Sequence, residues 1–243
     1  GFGLYAATDE RTSFRFGEKA VCAELPVDCR VVLFSGMPGE IIRDYMNLFG
    51  PAKLPPKWAF GPWISANHWD SQEKVERAVA QAEEHGFPVC ALVAEAWSDE
   101  ATFYVFRGAR YVPKPNGGAF RLEDFDFSDS PWPDPAGMVQ RLHEKGIRFL
   151  LWQIPVYKKQ GPDEPLNAQN ELDQADAVAR GLCVHNADGS PYTIPEGYWF
   201  AGSMIPDFTN PAAEETWFSK RNYLTEMGID GFKTDGGEFI YRE

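Results

Sequence analysis

The chain has 243 residues, of which 44% are hydrophobic and 14% aromatic, so it can bury a substantial core. Its formal net charge is −13 and it has no run of Lys and Arg, which argues against nucleic acid and anionic membranes as partners. No apolar run approaches the roughly 20 residues of a membrane-spanning helix, and the four cysteines form no CxxC pair, which favours a reducing compartment such as the cytoplasm.

Short strands separated by turns are predicted for the first part of the chain. The β-rich runs are FGLYAA, SFRFG, KAVCAEL and RVVLFSG, with no helical pattern between them, as in the end of an antiparallel β-sheet domain. The segment PGEIIRDYMNLFG has apolar residues at helical spacing and ends at Gly50, which predicts a helix. Three prolines in PAKLPPKW then form a stiff connector. We therefore place a boundary near residues 50–56 and predict domains over residues 1–50 and 51–243.

Strands alternate with helices in the rest of the chain, which is the pattern of a parallel sheet. Ser71 is placed to cap the first of these helices. Long insertions follow the second and third strands, and the later insertion contains a helical piece near NELDQADAVARG. The predicted strands are WAFGPWIS, FPVCALVAEAW, IRFLLWQIP and IDGFKTD, and the predicted helices are SQEKVERAVAQAEEHG, DPAGMVQRLHEKG and NPAAEETWFSKRNYLTEMG.

Two folds fit this alternation, a doubly wound sheet and a (β/α)8 barrel. No GxGxxG or GxxxxGK loop follows the first strand, which argues against a nucleotide-binding fold. In a barrel, chemical groups gather at the carboxyl ends of the strands. We therefore predict an α/β protein containing the N-terminal half of a (β/α)8 TIM barrel, preceded by the tail of an antiparallel β-sandwich domain. The predicted strand ends carry Trp63, Asn67, His68, Glu95, Trp97, Trp152, Tyr157, Asp235 and Glu238.

The segment KTDGGE places a lysine and an aspartate at the end of the last predicted strand. Lys233 and Asp235 are two residues apart in an extended chain, so their side chains point to the same face. A neighbouring lysine favours the ionised aspartate that a nucleophile requires. The two glycines that follow allow a substrate, or neighbouring backbone, to approach the carboxylate. On spacing alone, a solvated Asp–Gly–Gly turn is an equally good interpretation.

Four segments resemble the family 31 glycoside hydrolases in order and spacing: KWAFGPWIS, PDPAGMVQRLHEKGIRFLLWQIP, PDFTNP and GIDGFKTDGGE. The resemblance is strongest to the α-glucosidase and α-xylosidase branches and runs from about Tyr5 onwards. It implies that Asp235 is the nucleophile of a retaining α-glycosidase and that Glu238 is a supporting residue. It also implies an acid/base residue beyond Glu243. We therefore expect the chain to be a piece of a longer enzyme, whose remainder is needed for cleavage of an oligosaccharide or other glycoside.

The same resemblance implies a set of substrate-binding residues. Glu95 stands where the family typically has an aspartate that binds sugar hydroxyls, and its extra methylene leaves the identity of the sugar open. Trp97 matches an aromatic residue of the pocket wall, whereas Trp152 and Trp199 match sugar-stacking tryptophans. Lys233 matches a hydroxyl-binding lysine. The candidate substrate-binding residues are Glu95, Trp97, Trp152, Trp199, Lys233 and His68.

Two alternatives remain open at this point. One is an α-galactosidase-type enzyme of the same barrel class, which would differ around Glu95 and Trp97, and the other is a non-catalytic carbohydrate-binding fragment. Asp207 in PDFTNP and Asp230 in GID are interpreted as structural acids of a cap or turn. The histidines and cysteines have no metal-ligand spacing, so no metal or cofactor is predicted.

Overall fold

The computed structural model describes residues 1–241, which form two compact units, one over residues 1–56 and one beginning at Lys57. The proline-rich connector of residues 50–56 thus belongs to the first unit. In that unit β1 pairs with β4 and β2 pairs with β3. Both pairs are antiparallel, which is the strand direction that the sequence predicts. The elements of the first unit are β1 (Phe2–Ala7), β2 (Ser13–Phe16), β3 (Val21–Glu24), β4 (Arg30–Ser35) and α1 (Pro38–Phe49).

The second unit is built around one sheet of four parallel strands in the order β5-β6-β7-β8. This order, in which each strand pairs with the next one along the chain, confirms the predicted α/β fold and is that of one part of a barrel wall. Its elements are β5 (Trp63–Ala66), α2 (Gln72–Glu84), β6 (Ala91–Ala94), α3 (Pro135–Glu144), β7 (Arg148–Gln153), α4 (Ala168–Ala179), α5 (Pro211–Ser219), α6 (Asn222–Glu226) and β8 (Gly231–Thr234).

Side-chain caps fix where the main helices begin. The hydroxyl of Ser71 accepts a hydrogen bond from the backbone N–H of Lys74 at 3.4 Å, which confirms the predicted cap of α2. Asp134 caps α3 through the N–H of Gly137 at 3.0 Å, and Asn210 caps α5 in the same way. Each such cap stabilises its helix by about 1 kcal/mol. Within residues 1–241, no helix combines the length and apolarity that a membrane span needs.

The central strands of the sheet are covered on both faces. All four residues of β6 are buried. Leu92 and Phe149 pack into the larger core together with Met138 of α3, whereas Val93 and Leu150 face the opposite side. Burying one such side chain contributes about 1.5–3 kcal/mol, so the two-sided cover explains why FPVCALVA and FLLW are almost continuously apolar.

The last predicted helix is interrupted. The run NPAAEETWFSKRNYLTEMG forms α5 and α6, and the break falls at Lys220 and Arg221. Both basic side chains are buried at this point rather than solvated. Lys220 Nζ donates to the carboxylate of Asp173, and Arg221 Nε donates to Gln153 Oε1 at 2.6 Å. These inward contacts are tertiary, which is why helical periodicity alone did not show the break.

Two acids have contacts that fit the structural roles assigned to them. Asp230, at the start of β8, lies 2.7 Å from His143 Nε2 and accepts a hydrogen bond from Arg148 at 3.0 Å. Asp207 accepts hydrogen bonds from the backbone N–H and the hydroxyl of Thr209, at 3.0 and 2.6 Å. The first acid ties α3 and β7 to the foot of β8, and the second forms the turn that leads into α5.

Candidate active site

Asp235 lies directly after β8, at the carboxyl end of the parallel sheet. Its backbone N–H donates to the carbonyl of Gln153 at 2.8 Å, which continues the pairing of β8 with β7 by one residue. Its Oδ2 accepts a hydrogen bond from Trp152 Nε1 at 2.8 Å, and its Oδ1 accepts one from the N–H of Gly236 at 2.9 Å. The carboxylate is therefore held by both its backbone and its side chain.

These contacts also lower the pKa of Asp235. The chief cause is the indole N–H of Trp152, which donates to the ionised carboxylate. Partial burial opposes the shift, while the N–H of Gly236 and the positive charge of Lys233 act in the same direction as the indole. Asp235 is consequently ionised throughout the neutral range, as a carboxylate nucleophile must be.

The glycine after Asp235 is required by its backbone and by its surroundings. Gly236 has φ +71°, in the left-handed region that side chains disfavour. A Cβ at this position would come within 2.3 Å of the Phe239 ring, which is buried. The two glycines were predicted to allow a substrate or neighbouring backbone to approach, whereas the group closest to Gly236 is the side-chain ring of Phe239. At Gly237 no described atom lies within 4 Å of the Cβ position.

Glu95 and Lys233 form an ion pair across the end of the sheet. Glu95 Oε1 accepts from Lys233 Nζ at 2.8 Å and from the hydroxyl of Ser65 at 2.5 Å. The other oxygen, Oε2, has no hydrogen-bond donor among residues 1–241, so it is free to accept one from a ligand hydroxyl. Because β6 and β8 flank β7, the pair spans two strand spacings of about 4.8 Å each. In a barrel, inward-facing side chains of alternate strands share a layer, and this pair fits that arrangement.

Aromatic rings stand beside the carboxylate. The rings of Trp152 and Trp199 are 6.2 Å apart and tilted, and Trp199 is half exposed. The edge of Phe103 meets Trp152 at 5.7 Å, and Phe200 meets Phe103 at 5.6 Å. Phe103 and Phe200 both have positive φ, near +60°, an uncommon backbone for bulky residues that often marks functional sites.

Three candidates are not part of this arrangement. Trp97 is fully buried and its indole N–H donates to the carbonyl of Trp152 at 2.8 Å, so it supports the site from behind. No part of its ring is exposed, so its place in the pocket wall stays a prediction. His68 is exposed, and its ring lies 6.2 Å from that of the neighbouring Trp69. Glu238 is exposed, and no described residue forms a hydrogen bond or ion pair with it.

Two residues of the site were not predicted from the sequence. Gln153 and Ser65 contact the candidate residues directly, and neither was singled out. Gln153 is a polar residue in the otherwise apolar run FLLWQIP, and that exception was a usable signal. Ser65 had no such signal, because a serine near a strand end is common. Within residues 1–241, no group of three or more His, Cys, Asp or Glu is arranged to hold a metal ion.

Comparison with known proteins identifies the family. Residues 52–242 match the glycosyl hydrolases family 31 TIM-barrel domain. The chain is 44% identical over 204 residues to the isomaltosyltransferase of Sporosarcina globispora, covering 83% of this chain and 18% of that protein. It is 35% identical to the 1,3-alpha-isomaltosidase of Kribbella flavida, covering 99% of this chain and 34% of that protein. It thus spans at most about a third of the length of either relative.

A solved structure shows the same fold. The cycloalternan-degrading enzyme from Trueperella pyogenes, in complex with isomaltose, superimposes with a TM-score of 0.88 at 37% identity. The match covers 99% of this chain and 35% of that enzyme, so both units have counterparts in it. The chain therefore belongs to glycoside hydrolase family 31, and residues 52–242 correspond to its TIM-barrel domain.

Proposed function

We propose that the full-length protein is a retaining α-glycosidase that acts on α-glucosidic bonds of isomaltose-type oligosaccharides, with Asp235 as its nucleophile. The observation that carries the proposal is the position of the Asp235 carboxylate and the lowering of its pKa. The carboxylate is kept ionised by Trp152 and Gly236 at the carboxyl end of a parallel sheet, where barrel enzymes hold their reacting groups. It stands beside the Trp152 and Trp199 rings. It also lies two residues further along the chain than Lys233, which pairs with Glu95.

The chemistry follows from this geometry. Asp235 attacks the anomeric carbon, the bond to the leaving oxygen breaks, and a glycosyl ester forms. Water, or the hydroxyl of an acceptor sugar, then displaces the ester and restores the carboxylate. A second carboxyl group about 5–5.5 Å away must protonate the leaving oxygen and then, as a carboxylate, take the proton of the incoming water or hydroxyl. Glu95 is bound by Lys233 and Ser65, so we assign it to the sugar hydroxyls and expect the acid/base residue in the remainder of the full-length protein.

The choice of substrate is supported by the relatives. Their names describe an isomaltosyltransferase and an isomaltosidase, and the superimposed structure contains isomaltose. These proteins share the α-glucosyl unit, which fits a site with one free carboxylate oxygen on Glu95 and flanking aromatic faces. The proposal therefore favours α-glucosides over the α-xylosides that the sequence resemblance also allowed. Hydrolysis and transfer both proceed through the same ester, and the products distinguish them.

Labelling tests the nucleophile. The full-length protein is incubated with 5-fluoro-α-D-glucosyl fluoride, digested, and analysed by peptide mass spectrometry. We expect the label on the peptide that contains Asp235, because the fluorine slows breakdown of the ester. Asp235→Asn should remove both label and turnover, whereas the matched variant Asp207→Asn changes only a turn acid and should keep both. Active protein that carries the label on another carboxylate would refute the assignment.

A substrate panel tests the specificity. Isomaltose, nigerose, and the 4-nitrophenyl α-glucoside, α-xyloside and α-galactoside are compared by kcat/KM. We expect the glucosides to be the best substrates, and chromatography of the isomaltose products shows whether glucose or longer oligosaccharides form. A preference for the galactoside would support the α-galactosidase alternative. Binding of isomaltose without turnover of any substrate would support a non-catalytic carbohydrate-binding protein.

A further inference from the structure

Gln153, the last residue of β7, is a buried hub of hydrogen bonds. Its side chain is 5% exposed. Its Nε2 donates to the carbonyl of Phe103 at 2.7 Å and to that of Trp152 at 3.0 Å. Its Oε1 accepts from Arg221 Nε at 2.6 Å. All the polar atoms of this side chain are engaged, which fixes its orientation.

Arg221 anchors the hub. Its guanidinium is buried, lies 3.6 Å from the centre of the Trp217 ring, and donates through Nη1 to the carbonyl of Trp217 at 2.9 Å. Burial lowers the pKa of Arg221 to about 10, so the group is still charged at neutral pH. Hydrogen bonds from a charged donor are shorter and stronger than neutral ones. The hydrogen bond to Gln153 is therefore a firm link between β7 and the start of α6.

Gln153 is connected to the nucleophile by two independent routes. Its carbonyl accepts the hydrogen bond from the backbone N–H of Asp235 at 2.8 Å. Its side chain holds the carbonyl of Phe103, whose strained backbone, φ +59°, presents the ring to Trp152 at 5.7 Å. Trp152 in turn donates its indole N–H to Asp235 Oδ2. The same residue thus supports both the backbone of the nucleophile and the tryptophan that binds its carboxylate.

We infer that Gln153 is a positioning residue for the nucleophile, whose side chain acts through Phe103 and Trp152. This inference rests on the proposed function, because it assumes that Asp235 reacts with substrate. Without the Gln153 side chain, the Phe103 carbonyl and Arg221 Nε would lose their partners, and the strained backbone at Phe103 would relax. The Trp152 ring would then shift, and its hydrogen bond to Asp235 would weaken.

A purely structural role is the alternative, and the chain offers a matched control for it. Gln169 is also a fully buried glutamine with three hydrogen bonds. Its Nε2 donates to the Lys114 carbonyl at 3.0 Å and to Asp173 Oδ1 at 2.7 Å, and its Oε1 accepts from the Lys114 N–H at 2.7 Å. None of these partners contacts Trp152 or Asp235. Gln153→Met and Gln169→Met remove the same kind of interaction in similar surroundings.

The experiment compares the two variants in the full-length protein by steady-state kinetics on 4-nitrophenyl α-glucoside across pH, together with urea unfolding. Both substitutions should lower the urea midpoint. Gln153→Met alone should reduce kcat, by roughly 10-fold to 100-fold, because small displacements of a reacting group are costly. It should also move the acid limb of kcat/KM to higher pH, since the weakened indole hydrogen bond raises the pKa of Asp235. If Gln153→Met does not fold, Gln153→Glu, which keeps the acceptor for Arg221, is used instead and should show the same changes.

Each outcome is decisive. Equal kcat and equal acid limbs in the Gln153 and Gln169 variants overturn the inference, whatever the loss of stability. Absence of turnover of every α-glycoside in the wild-type protein counts instead against the proposed function. In that case crystal structures of the wild type and Gln153→Met decide: an unchanged hydrogen bond between Trp152 Nε1 and Asp235 Oδ2 overturns the inference, and a broken one supports it.

Discussion

Replacement of Gly236 by alanine should destabilise the protein through two separable effects. The first is the backbone, because Gly236 has φ +71° and the left-handed region costs an alanine about 1–2 kcal/mol. The second is steric, because the new Cβ would lie 2.3 Å from Phe239 Cε2 and 3.0 Å from Ile154 Cδ1. Phe239 is only 1% exposed, so its ring has little room to move. Forcing extra volume into such a packed site costs about 1–3 kcal/mol.

The two effects together predict a loss of about 2–5 kcal/mol for Gly236→Ala. Gly146 supplies a matched control, because its φ is +74° and no atom among residues 1–241 lies within 4 Å of its Cβ position. Gly146→Ala should therefore lose only the backbone part, about 1–2 kcal/mol. Urea unfolding of the full-length variants measures the difference. If Gly236→Ala is no less stable than Gly146→Ala, the steric part of this reasoning is refuted.

Two further substitutions test the site itself. Trp152→Phe removes the indole donor, so the pKa of Asp235 should rise and the acid limb of kcat/KM should move to higher pH, whereas Trp58→Phe should leave it in place. Because the pKa of Asp235 is lowered, its ionised carboxylate stabilises the folded state fully at pH values above 3.8, the ordinary pKa, and this contribution is lost as the pH falls through the lowered pKa. In Trp152→Phe the acid-induced loss of stability should be smaller. Ser65→Ala removes one of the two hydrogen bonds to Glu95 Oε1 and leaves that of Lys233. KM for α-glucosides should rise about fivefold, equivalent to one net hydrogen bond of about 1 kcal/mol. An unchanged KM would show that Ser65 does not orient Glu95.

The fold could be predicted from the sequence wherever the signal was local. Ser71 predicted the start of α2 because an N-cap acts on a backbone group three residues away. The apolar run around Val93 predicted a buried strand for the same reason, since strand burial is visible in composition. The break between α5 and α6 was not predicted, because Arg221 turns inward to meet Gln153, a partner 68 residues earlier. Local periodicity carries no information about such a contact.

The site could be predicted only in part, for the same physical reason. Asp235 follows an apolar strand directly, and a residue at a strand end can be placed from the chain alone. Trp97 is only two residues beyond Glu95, yet the structure buries it and exposes part of Glu95. Once the strand ends at Ala94, alternation no longer decides which side chain faces the pocket. The insertion after β6 makes that choice, and its path depends on packing that the sequence does not display.

The register between β7 and β8 decides whether the site exists at all. Trp152 pairs with Lys233 and Gln153 with Thr234, so the next N–H, that of Asp235, reaches the Gln153 carbonyl. A slip of one residue would turn every side chain of β8 to the opposite face. Asp235 would lose its backbone hydrogen bond to Gln153 and its hydrogen bond from the Trp152 indole. The Lys233–Glu95 ion pair beside it would be lost as well. Trp152 and Gln153, consecutive residues of β7, therefore fix the position of the Asp235 carboxylate. The buried Arg221 in turn holds the Gln153 side chain through the hydrogen bond from its Nε.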